Sequence, residues 1–229
     1  MKKLLILSSF IVVGAIAGGS AYYLTRASAL PTWYNETSTA ITVEAISPAD
    51  LLAAKLASGD GVRYLDNSRV EITLSEAELN QMIMGAIADH TQAATWLRSA
   101  QGMDTTISND RIESGIVINL ATVSTDELPA GGQQIVDQIT QRFPALANRD
   151  VYLGVEGSPS VADGRLILDD NIRIKIGNVS FTVDQIANRL GLSPSQLEDQ
   201  LNLSLSQGGV TLDGIEFVNG EAVLRGTIP

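Results

Sequence analysis

From Leu4 to Leu24 the chain runs for 21 residues without a charge, LLILSSFIVVGAIAGGSAYYL. A helix of that length rises roughly 30 Å, about one hydrocarbon core, and within lipid a lone segment can satisfy its backbone only as a helix. Lys2 and Lys3 precede the run, which holds the N-terminus in the cytoplasm and sends the body of the chain to the other side. Tyr22 and Tyr23 at its outer end, then Trp33 and Tyr34, are amphipathic residues expected at a headgroup interface. Residues 1–26 are therefore expected to form a transmembrane anchor, 27–45 a spacer and 46–229 an exported domain. The triplet Ala27-Ser28-Ala29 keeps a second reading open, in which a peptidase removes the run as an export signal. Against cleavage, the apolar segment exceeds the usual ~7–15 residues of a signal peptide. Both readings place the domain outside the cytoplasm.

Charge narrows the partners. Lys2, Lys3 and Arg26 are three of the 15 basic side chains and the first 26 residues hold no acid, so the domain carries 12 basic against 26 acidic groups. Such a body is repelled by phosphate backbones and anionic lipid, which argues against nucleic-acid binding and leaves membrane contact to the N-terminal run or a local apolar patch. The chain has no cysteine, which excludes thiolate zinc sites, thiol nucleophiles and attachment of lipid through cysteine.

Three segments carry the same device for starting a helix. In ISPADLLAAKLASG, Ser47 caps, Pro48 takes the first helical position, Asp50 is the acid of the first turn and Ile46 can staple onto Leu51. In LSEAELNQMIMGAIA, Ser75 and Glu78 form a capping box, with Leu74 against Leu79. In LSPSQLEDQLNL, Ser193, Pro194 and Gln196 repeat the pattern. Further helices are expected over 133–143, closed by Pro144, and over 183–190, closed by Gly191. Between these segments the period changes to two, in VRYLDNSRVEITL, GIVINLATV, VYLGV, GRLILDDNIRIKI and IEFVNGEAVLRGTI. Asn219-Gly220 and Asp163-Gly164 are two-residue hairpin turns. Strands arriving as hairpins with single helices between them predict an α+β domain, a curved antiparallel sheet packed against several helices.

Reactive chemistry is hard to assemble from these residues. The single histidine, His90, falls at the end of the second helix, where an imidazolium complements the helix dipole, and no G-x-S-x-G or S-x-x-K motif accompanies it. Asp169-Asp170-Asn171 lacks the glycine and distal glutamate of a calcium loop, and Gly59-Asp60-Gly61 follows a helix without completing a dinucleotide fingerprint. No catalytic residue, metal site or cofactor is expected, although carboxylate pairs such as Asp104 with Asp110 are invisible to sequence reading because their separation is tertiary.

The order of elements, with ITLSEAELNQMIMGAI, then IKIGNVSFTVDQIANRLGLSPSQLEDQLNL and a closing GVTLDGIEFVNGEAVLRGTI, resembles the exported domains of YpmS-like bacterial single-anchor proteins, which are similar in turn to tubular lipid-binding domains of the TULIP type. The resemblance spans roughly residues 65–229. It implies a long sheet wrapped on a helix around an apolar groove for acyl chains or a hydrophobic partner. Apolar candidates for such a groove are Leu79, Met82, Ile83, Ile87, Leu166, Leu168, Ile172, Ile174 and Ile176, which could equally fill an ordinary core. The functional expectation is a membrane-anchored, extracytoplasmic binding module for lipid or another apolar ligand. The alternatives are an assembly factor for an envelope protein complex and an envelope hydrolase working through carboxylates.

Overall fold

A computed structural model describes residues 26, 28–34, 46–66, 68–88, 94, 97–123, 148–162, 165–167, 171–185 and 211–228. The order of elements is α1 (Pro48–Ser58), β1 (Val62–Tyr64), β2 (Arg69–Ser75), α2 (Glu76–Ala88), β3 (Ala100–Ser108), β4 (Arg111–Asn119), β5 (Asp150–Gly157), β6 (Ser160–Ala162), β7 (Arg165–Ile167), β8 (Arg173–Ile176), β9 (Val179–Thr182), β10 (Thr211–Val218) and β11 (Glu221–Thr227). The class is α+β with antiparallel sheets, as expected.

Both described helices begin as their cap residues dictate. The Ser47 hydroxyl oxygen accepts the Asp50 N–H at 3.1 Å, and α1 ends on Gly59, whose left-handed backbone (φ 75°) lets its N–H reach the Lys55 carbonyl. At α2, Glu78 N–H donates to the Ser75 hydroxyl at 3.3 Å while the Glu78 carboxylate accepts the Ser75 N–H at 2.8 Å, a reciprocal box. Gly85, in the middle of α2, is there for space: a Cβ would stand 1.9 Å from the Ile46 carbonyl oxygen, where the chain entering α1 crosses the helix. The helical turn opening at Val183 has its own box, Thr182 with Gln185, and the rest of that expected helix lies outside the described residues, as do those at 133–143 and 193 onward.

The single curved sheet expected from the strand patterns is instead two sheets and a hairpin. The first runs β1-β2-β11-β10, the second β3-β4-β5-β8-β9, and β6 pairs only with β7, the Ala162↔Arg165 pairing leaving two residues between the strands. The division has a physical cause at β3. At its outer edge the Glu76 carboxylate accepts the Ile107 N–H at 2.5 Å, and on the face of the sheet Asn80 accepts the Thr105 hydroxyl at 2.9 Å. Glu76 thus takes an edge N–H that a further strand would have bonded. VRYLDNSRVEITL is likewise not one alternating strand but a hairpin. The Asp66 carboxylate captures the N–H groups of Ser68 and Arg69 at 3.1 and 2.8 Å and turns the chain. Asn219-Gly220 turns β10 into β11 with both residues at positive φ, and Asn109-Asp110 does the same for β3 and β4.

One core lies between α1, α2 and the first sheet. Val70, Ile72, Leu74, Leu224 and Ala222 face Leu51 and Leu79, with Met82 and Ile83 packed against them. Ile107 and Ile112, at the turn end of β3 and β4, join the same cluster, so the second sheet is tied to the first through shared apolar contacts. Each fully buried aliphatic side chain here contributes about 1.5–3 kcal/mol.

Candidate functional site

The apolar residues expected to line a groove are divided. Leu79, Met82 and Ile83 belong to the packed core of the first sheet, and Ile87 is half-buried on the same helix. Ile172 is buried just before β8 while Ile174 and Ile176 are buried on that strand, in the second sheet. Leu166 lies on β7, in the separate hairpin, and Leu168 falls outside the described residues. The described ones thus lie on α2 and on or beside strands of different sheets.

Register explains what the second sheet offers instead. Strand alternation puts Met103, Ile116, Leu153, Ile176 and Val179 in one row, with Thr105, Ser114, Val155, Ile174 and Phe181 in the next on the same face. Within this largely apolar face Val155 is 48% exposed. The opposite face is polar and aromatic. There Asp104, Gly115, Gly154 and Lys175 form one row and Thr106, Glu113, Glu156 and Arg173 the next.

Tyr152 organises that second face. Its ring lies across the cross-strand pair Gly115↔Gly154, where a Cβ at either position would stand 2.4 or 2.5 Å from the ring. Two glycines in mid-strand leave the trench and the tyrosine, only 2% exposed, fills it. Its hydroxyl donates to Glu113 at 2.8 Å, and the Lys175 ammonium lies 2.7 Å from both oxygens of the same carboxylate. Glu156 completes the cluster, 3.8 Å from Lys175 and 3.4 Å from Arg111. Burial, and then the hydrogen bond to a carboxylate, push the Tyr152 phenol well above its ordinary value, so it serves as a donor and not as a base. The signal for this arrangement was a glycine inside each of SGIVIN and YLGVEG, with an aromatic two positions before the second.

The same face receives the chain that follows the uncharged run. Residues 28–34, expected as part of a spacer, pack on the sheet. The Arg26 carbonyl accepts the Asn178 N–H at 2.8 Å, at the β8–β9 turn. At the other end Trp33 rests on Gly102, edge-on to Tyr34 and Tyr152 with ring centroids 6.1 Å apart in each pair. The Tyr34 hydroxyl donates to Asp150 at 2.7 Å. Trp33 and Tyr34, expected at a headgroup interface, thus make these contacts with the domain itself, because Gly102 leaves room for an indole and Asp150 offers an acceptor. Leu4, Tyr22, Tyr23 and Leu24 lie outside the described residues, and among the described residues no helix is long and apolar enough to cross a membrane.

On the outer face of the first sheet a trough of about 450 Å³ is lined by Gly61, Arg63, Glu71, Glu216 and Arg225, among others. Glu71 is 7% exposed at its floor, held by Arg63 and by Arg225 at 2.8 Å, while Arg225 also reaches Glu216 at 2.6 Å. The hydrogen bonds from Arg225 and then Arg63 keep the Glu71 carboxyl below its usual range. These charges satisfy one another across strands, with Val62, Val218 and Val223 lining the trough beside them.

Asp104 and Asp110 are not brought together. Asp104 pairs with Gly115 in mid-sheet, whereas Asp110 sits in the turn beyond Ser108, which is itself four strand residues, or about 13 Å, from Asp104. Asp104 alone has a carboxyl raised among the described residues, by burial and by the neighbouring charge of Glu76, against the N–H of Thr105. Gly59-Asp60-Gly61 is a loop at the end of α1, as expected, while His90, Asp169 and Asp170 lie outside the described residues. No family model, curated protein or solved structure matches this chain.

Proposed function

We propose that the chain is a membrane-anchored, extracytoplasmic binding module for lipid or another apolar ligand, of the kind its YpmS-like element order suggests. The observation that carries the reading is the docking of residues 26–34: the segment leaving the uncharged run is bound to the sheet by backbone, indole and phenol contacts. A module used at the bilayer surface gains from such a short, fixed connection. The core of the first sheet is packed, which leaves the exposed Val155, on the apolar face of the second sheet beside the buried Leu153 and Ile174, as the place where an apolar ligand meets the domain.

The test is lipid analysis by mass spectrometry of the full chain purified from native membranes, beside the Val155→Glu variant. The expected result is one lipid class enriched over the annular lipid of an unrelated single-span protein, with the enrichment lost in the variant. Annular lipid alone, together with one protein recurrently crosslinked to the domain, would replace this reading with that of an assembly factor.

A further inference from the structure

We propose that the corner of the second sheet at the β8–β9 turn is seated on the bilayer surface, with no free spacer between anchor and domain. The inference rests on the anchor reading above and adds to it where the domain sits and how firmly.

Leu24, the last residue of the uncharged run, is two residues before Arg26, and two residues reach at most about 7 Å whatever their conformation. The Arg26 carbonyl is hydrogen-bonded to the Asn178 N–H at 2.8 Å, and the Ala29 N–H closes a turn on the same carbonyl. From there the chain crosses the end of the sheet to Trp33 on Gly102 and Tyr34 on Asp150. The outer end of the apolar run is thereby fixed within a residue or two of the β8–β9 turn. A free spacer over 27–45 would allow a separation of up to about 60 Å. The docked segment removes that freedom, and the strongly acidic body keeps the far corner of the sheet from settling on anionic lipid. Ser108 marks that far corner. It lies about 20 Å along the strands from the level of Gly102, and on the opposite edge of the sheet from β9.

The chain has no cysteine, so single labels can be placed without background. Asn178→Cys and Ser108→Cys, both exposed positions, are labelled with a fluorophore in the full chain and reconstituted into vesicles of phosphatidylcholine and anionic phosphatidylglycerol carrying a headgroup nitroxide quencher. Quenching is expected to be several times stronger at 178 than at 108. Inserting a flexible Gly-Ser segment after Thr25, which leaves the docked residues untouched, should reduce the quenching at 178 towards that at 108. Weak quenching at both positions, unaffected by the insertion, would overturn the seat in favour of a free tether. Strong quenching at both would overturn it in favour of a sheet lying flat on the membrane. Co-flotation of the chain with the vesicles is scored separately, and its failure would remove the anchor reading itself.

Discussion

The Tyr34 hydroxyl donates a 2.7 Å hydrogen bond to the carboxylate of Asp150, a residue 116 positions further along the chain. Asp150 is held in turn by the Asn119 side-chain amide at 3.0 Å, so the docked segment closes a network that includes the first residue of β5 and the last of β4. Tyr34→Phe is expected to cost about 1–2 kcal/mol, in the range for a hydrogen bond to a charged group. Asp150→Ala should cost a similar amount, and the double variant less than the sum, because both remove one interaction. Urea unfolding of the solubilised chain measures all three, and strict additivity would show that the contact contributes nothing.

The Gly115↔Gly154 pair under Tyr152 predicts a second non-additivity. Alanine at either position places a methyl group inside the ring's present volume and should destabilise by about 1–3 kcal/mol, the usual cost of overpacking. Once one substitution has displaced the ring, the second meets less resistance, so the double variant should cost clearly less than the sum. The same unfolding assay reads it, and full additivity would contradict the shared cause.

Lys55 is 8% exposed and lies 2.8 Å from both Glu78 and the Thr73 carbonyl, tying α1 to the start of α2 and to β2. Burial works against the Glu78 charge, but the Lys55 ammonium and the Ser75 N–H and hydroxyl outweigh it and hold the carboxyl below its ordinary value of 4.5; Glu71 is lowered too. Groups lowered in this way stabilise the fold while ionised, so their contribution is present above about pH 4.5 and is lost as pH falls through their folded values. Thermal unfolding should show Tm dropping below that pH, with a flatter profile in Glu78→Gln, which is also less stable at neutral pH because a buried ammonium loses its partner. An unchanged acid limb in the variant would contradict the assignment.

Asp104 has the opposite sign. Its carboxyl is raised above the ordinary 3.8, so its contribution is greatest when protonated and is lost as pH rises through the folded value. Asp104→Asn is therefore expected to raise Tm at neutral pH, with the gain fading towards pH 3.8. A loss of Tm at neutral pH would give Asp104 a structural task as an anion.

How much of this was legible depends on the range of the interactions. Ser47, Pro48, Ser75 and Glu78 act within one helical turn, and their sequence signatures gave both described helix starts; Asn219-Gly220 gave its hairpin in the same way. The split into two sheets was not legible, because it depends on Glu76 reaching the edge of β3 and Asn80 reaching Thr105 on its face, contacts with no local pattern. Trp33 and Tyr34 were read through their affinity for interfaces in general. Their actual partners, Gly102, Tyr152 and Asp150, are 68 to 119 residues away along the chain and carry no mark of the pairing beyond a glycine in a strand. The division of the apolar candidates among different sheets was hidden for the same reason: alternation shows which side of a strand faces inward but not which sheet the strand joins.

The most direct test of the account is the intact mass of the chain recovered from carbonate-washed native membranes. A membrane-anchored module predicts an integral species whose mass includes the uncharged run through Leu24. A soluble species beginning at Leu30 would contradict it.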